Sequence, residues 1–141
     1  MDDRPDMTAA AVGYLAGRFA LPYREGEHDC ALLALGWIDA LTGTRHQERV
    51  RGSYRTKFEG LRRHAAGGLT GGFRALLLSD GWVELADDEP LRAGDVVLTR
   101  GGSPGIFDGA AIVSAVQGCA GQVRMPETER REAFSWKPFT R

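Results

Sequence analysis

Residues 26–43 read GEHDCALLALGWIDALTG, and how this stretch is read decides the fold. Cys30, Leu33, Ala34, Trp37, Ile38 and Leu41 recur at spacings of three and four, the repeat that lines one face of an α-helix. Asp29, just ahead, is a good N-cap, and Thr42-Gly43 supplies the stop, with Gly43 as C-cap. The pattern predicts the central helix of the protein. It also places a sulfur at the helix head, directly behind an acid and a histidine. A nucleophilic thiol belongs in such a place, and so does a small buried residue. The helical repeat fits both.

Upstream, residues 8–18 predict a short helix capped by Thr8, with Ala11, Tyr14, Leu15 and Arg18 on one face, and Pro22 and Gly26 break the connector that follows. Downstream, residues 45–65 read as a basic insertion between the central helix and the sheet. Arg45, Arg49, Arg51, Arg55, Lys57, Arg62 and Arg63 outweigh Glu48 and Glu59 there, with a helix expected over 57–65. GGLTGG, residues 67–72, reads as a flexible joint before a short helix over 73–79.

Beyond Asp80-Gly81 the chain turns to strands, expected over 82–85, 95–99, 105–107, 111–116 and 122–124. The unbroken apolar centre of the second predicts burial on both faces. Residues 126–141, with Phe134, Trp136 and Phe139, read as a C-terminal aromatic tail that packs back. Helices first and a small antiparallel sheet after them define an α+β fold, expected as a single domain over 1–141.

The bulk numbers narrow the function classes. Of 141 residues, 43% are hydrophobic and 26% charged, the balance of a soluble globular domain. A formal charge of −1 gives no general pull toward nucleic acid or membrane. No apolar run approaches the roughly 20 residues of a membrane span, and MDDRPDM lacks the character of a secretory signal. Cys30 and Cys119 form neither a disulfide framework nor a CxxC pair, so no metal and no cofactor are expected. Tyr54 and Phe58 interleave with the arginines, but no nucleic-acid motif accompanies them. Arg49, Arg51, Tyr54, Arg55, Arg62 and Arg63 are better read as anchors of a protein–protein interface.

Several short motifs stand in order from residue 22 to residue 136: Pro22-Tyr23, Gly26, His28-Asp29-Cys30, Thr42-Gly43, Arg51-Gly52-Ser53-Tyr54, Gly67-Gly68-Leu69, Gly94-Asp95-Val96-Val97 and Gly105-Ile106. In this series the chain resembles the NlpC-type cell-wall peptidases, a branch of the papain-like cysteine hydrolases, and most closely their phage-tail relatives. The resemblance implies a papain-like NlpC-type fold with Cys30 in the nucleophile position. There the helix N-terminus favours thiolate, and a strand histidine serves as base.

The family pattern puts that histidine two residues before the Gly-Ile pair. Here the position is Ser103, followed by Pro104, and neither side chain shuttles protons near neutral pH. The orienting third residue falls near 114–117. His28 is the candidate substitute base; the alternative for it is a capping or surface role. His46 and His64 lie in the basic segment and are expected to be solvated, and Cys119 is expected to be a buried or loop thiol.

The resemblance therefore implies a structural or accessory part of a phage or phage-like tail tip. It would be assembled in the host cytoplasm, carried in the virion and placed against hub and baseplate proteins. The alternative is an active cysteine hydrolase that cuts peptidoglycan peptides during genome entry.

Overall fold

The computed structural model describes residues 6–53, 55, 68–116 and 121–136. Tyr54, Arg62, Arg63, His64 and Cys119 lie outside the described residues, as does the helix expected over 57–65. The first helix, α1, spans Thr8–Ala16, and the second, α2, spans Cys30–Thr42. A short α3 covers His46–Val50 and α4 covers Gly68–Ser79. The strands are β1 (Trp82–Glu84), β2 (Val96–Thr99), β3 (Pro104–Phe107), β4 (Ile112–Ser114), β5 (Val123–Met125) and β6 (Arg130–Trp136). The architecture is α+β.

α2 is the hub. Every residue from 31 to 38 is buried, a wider apolar surface than the one-face repeat predicts. A helix buried all round must be packed on more than one side, and this one is. Tyr14 of α1 donates its hydroxyl to Leu33 O at 2.6 Å and packs its ring 5.6 Å from that of Trp37. Gln47 of α3 donates to Leu32 O at 3.0 Å. Toward the sheet, Trp37 Nε1 donates to Gly94 O at 2.8 Å, and α2 lies along β3. At the far end Gly43 takes φ +74°, the left-handed conformation that ends helices, and its N–H returns to Asp39 O. The Asp39 carboxylate then accepts from the N–H groups of His46 and Gln47, which starts α3.

The six strands form one antiparallel sheet in the order β1-β6-β2-β3-β4-β5. β2 is buried along its whole length, as the apolar run predicts. Val96 and Leu98 join Ile106, Val113 and Phe134 in the core that faces the helices. Val97 points the other way, with Phe107, Ile112 and Ala133, and is roofed by Leu85 and Leu91 from the loop between β1 and β2.

Two segments differ from the sequence reading. Residues 130–136 are not a tail packed onto a finished domain. They form β6, inserted between β1 and β2 with Val97 opposite Ala133 and Val96 opposite Phe134. Nor is 67–72 wholly a joint: α4 begins at Gly68 and runs through Gly71 and Gly72. Glycine costs about 1 kcal/mol against alanine in a helix. The burial of Phe73 and Leu77 in the core outweighs that cost.

Gly36 shows how closely α2 is approached. A Cβ built there would stand 2.2 Å from Tyr14 Oη and 2.7 Å from Gln47 Nε2. Gly36→Ala is therefore expected to destabilise the protein by about 2 kcal/mol. Overpacking costs about 1–3 kcal/mol and a broken buried hydrogen bond about as much, against a helix-propensity gain of about 1 kcal/mol. Gly13 of α1 has nothing within 4 Å of its Cβ position, so Gly13→Ala should gain up to about 1 kcal/mol. Urea unfolding of the two variants checks the opposite signs.

Candidate functional site at the head of the central helix

The site is built by a tight hairpin ahead of α2. Arg24 and His28 exchange backbone hydrogen bonds, both at 2.8 Å, so residues 25–27 must turn within one loop. Gly26 makes this possible at φ +79°. The Asp29 carboxylate then holds both ends: Oδ2 accepts from Gly26 N–H and Oδ1 from Leu32 N–H, each at 2.9 Å. Asp29 is thus a helix cap and a hairpin brace at once.

The Arg51-Gly52 motif docks on the same hairpin. Gly52 N–H donates to Gly26 O at 2.7 Å, and Arg51 Nε donates to Glu27 O at 3.2 Å. Two motifs 25 residues apart in sequence are therefore one structural unit. The Gly94-Asp95 motif serves a separate purpose. Gly94, at φ +96°, lets Trp37 approach, and Asp95 Oδ2 accepts from Arg92 N–H at 2.8 Å to close the turn into β2.

Cys30 is the first residue of α2 and is half-buried. Its thiol is pushed up to about 12, first by burial and then by the carboxylates of Asp29 and Glu25. The N–H groups of Ala31 and Cys30 act the other way and lose. A helix N-terminus ordinarily lowers a thiol's pKa; here desolvation and two like charges reverse the sign. Tyr23 stands beside it and donates its hydroxyl to Glu25 Oε1 at 2.5 Å. Burial, that hydrogen bond and the neighbouring Cys30 hold the phenol well above its usual value.

His28 is not at the surface. It is 8% exposed, and its Nε2 is buried without a hydrogen-bond partner among the described residues. Burial lowers its basicity, Asp29 opposes the change, and the guanidiniums of Arg51 and Arg18 add to it. The thiol and the imidazole thus share Asp29 but answer otherwise to different neighbours. His46 is not simply solvated either: its Nε2 lies 2.6 Å from Asp80 Oδ2, which ties α3 to the end of α4.

Ser103, at the position where the resembled family has its histidine, closes the β2–β3 turn. Its carbonyl accepts from Thr99 Oγ1 at 2.8 Å, and its hydroxyl lies 3.1 Å from that same oxygen. Ser114 donates to Pro104 O at 2.9 Å across the next strand pair. Arg49, Arg51 and Arg55 of the expected interface are exposed. Among the described residues, no group of three or more His, Cys, Asp and Glu side chains is arranged to hold a metal ion, and no helix is long and apolar enough to cross a membrane.

Sequence reasoning singled out His28-Asp29-Cys30 but missed Tyr23, Glu25, Arg18 and Arg51 as the groups that set their chemistry. The only local signal for Tyr23 and Glu25 was their nearness in sequence. Arg18 and Arg51 arrive from either side through the fold.

None of the curated proteins and none of the solved structures matches the chain. Residues 3–136, nearly its whole length, match a domain of unknown function (DUF6950), and the chain belongs to that family.

Proposed function

We propose that the protein is a structural or accessory component of a phage-like tail tip, in the hub and baseplate region, built on a papain-like NlpC-type fold from which the peptidase chemistry has lapsed. The observation that carries this reading is the state of Cys30. Burial and the carboxylates of Asp29 and Glu25 push its thiol up to about 12, so it holds its proton at neutral pH. A working nucleophile needs a base within hydrogen-bond reach, and the family's base position carries Ser103, turned onto Thr99. The tail assignment draws its support from the ordered motifs between residues 22 and 136.

The remaining surface is suited to contacts. Arg49, Arg51 and Arg55 are exposed, and Arg is among the residues that anchor protein interfaces. Val12 of α1 and Phe19 and Leu21 beyond it are exposed large apolar side chains, Phe19 at 61%. Val12 and Phe19 border an open cavity of about 210 Å³ whose lining includes Leu15 and Val113. In this reading the partners are tail hub and baseplate proteins, and the protein is carried in the virion.

One observation favours a second reading, an active cysteine hydrolase acting on peptidoglycan peptides. The N–H groups of Cys30 and Ala31 meet the sulfur from the helix head, as they do for a catalytic thiolate. Burial and the two carboxylates outweigh them.

Peptide-mapped alkylation of Cys30 against pH separates the two. The scaffold reading expects a rate still climbing at pH 10, a lower midpoint in Glu25→Gln as a like charge is removed, and no cleavage of stem peptides. A thiolate that titrates well below the free value of about 8.5, with turnover abolished by Cys30→Ala, would establish the hydrolase. Quantitative mass spectrometry of purified tails should find the chain in the particle. Its absence would remove the tail role whatever the thiol does.

A further inference from the structure

The reading of a lapsed peptidase leaves the buried imidazole of His28 without a role. Its Nε2 lies in the interior with no hydrogen-bond partner among the described residues. A buried imidazole with an unpartnered nitrogen is tolerable while neutral and costly once charged. The charged groups that act on it electrostatically come from three segments: Asp29 at the head of α2, Arg51 beyond α3 and Arg18 beyond α1. Arg24 and Glu27, on its own hairpin, are exposed. Two guanidiniums oppose one carboxylate, and that carboxylate is already engaged by Gly26 and Leu32.

These neighbours differ in how firmly they are held. Arg18 lies over the Tyr14 ring, 3.8 Å from its centroid, and donates to Tyr14 O. Arg51 is exposed and meets the hairpin through its 3.2 Å bond to Glu27 O and the Gly52–Gly26 bond beside it. When the imidazole takes up a proton, the neighbour that yields most readily is the segment at 51–52. Its departure relieves the repulsion from Arg51 and admits water to the ring.

We propose that His28 is an acid-sensitive clasp: neutral, it lets the Arg51-Gly52 segment dock on the hairpin at 24–28, and protonation releases that segment. The folded imidazole binds its proton more weakly than the unfolded one, whose ordinary value is 6.5. The docked state is therefore fully stabilised above about that pH and loses stability as the pH falls from there toward the depressed folded value. The release changes how the exposed Arg49, Arg51 and Arg55 are presented.

Amide hydrogen exchange of the full chain from pH 4.5 to 8, corrected for intrinsic rates, tests the clasp at the Gly52 N–H. The opening constant should rise by about tenfold per pH unit as the pH drops below 6.5, the signature of a single proton. In His28→Leu the Gly52 amide should lose this dependence while the amides of α2 keep their protection. If that variant fails to fold, an NMR titration of the wild-type ring decides: the His28 imidazole and the Gly52 amide should change together, below the ordinary histidine value. A Gly52 amide whose protection ignores pH, or a ring that titrates at or above 6.5, would overturn the proposal.

Discussion

One carboxylate organises the head of the molecule. Asp29 reaches forward to Leu32 N–H and back to Gly26 N–H, so the start of α2 and the turn before it have a single common anchor. Because α2 is buried from residue 31 to residue 38, its orientation sets where α1, α3 and β3 sit. The same turn exposes the Gly26 and Glu27 carbonyls that receive Gly52 and Arg51. An acid near a helix N-terminus ordinarily satisfies orphan donors and the dipole. Here it also adds a negative charge beside the half-buried Cys30, and the thiol keeps its proton. The group that fixes the geometry of the helix head is thus one of those that quiets its chemistry.

The legible part of the fold was local. Asp29, the apolar repeat and Gly43 lie within one stretch, and each side chain carries its meaning in its own type and spacing. β2 was legible for the same reason, since four consecutive apolar or β-branched residues have no polar face to offer water. The place of β6 was not. Its seven residues, Arg-Arg-Glu followed by Phe134 and Trp136, read as a tail laid onto the domain rather than a strand within the sheet. That they lie between β1 and β2 depends on partners about 35 to 50 residues away, such as Val97 for Ala133 and Val83 for Ser135. The glycines that open α4 misled for a related reason: propensity speaks for the segment alone, while Phe73 and Leu77 commit it to the core.

The site divides along the same line. That a thiol, an acid and an imidazole meet at a helix head could be read directly from three adjacent letters. What they do there could not, because charge and burial come from elsewhere. Glu25 raises the thiol from within the turn, and Arg51 and Arg18, from beyond two other helices, lower the basicity of His28. Gly94-Asp95, one of the short motifs in the sequence, has a local role in the fold: the pair accommodates Trp37 and closes a turn. A short motif can persist for packing reasons after, or without, any chemistry.

The strand order has a consequence for biosynthesis. β1 and β2 lie on either side of β6, so each offers it a row of unpaired backbone donors and acceptors until residues 130–136 leave the ribosome. The keystone of the sheet is translated after every other described strand. Nascent chains therefore carry two open edges in the interval between the synthesis of β2 and that of β6, a state prone to joining its neighbours on a polysome. Chaperone demand should peak in the interval after β2 has emerged and before β6 has.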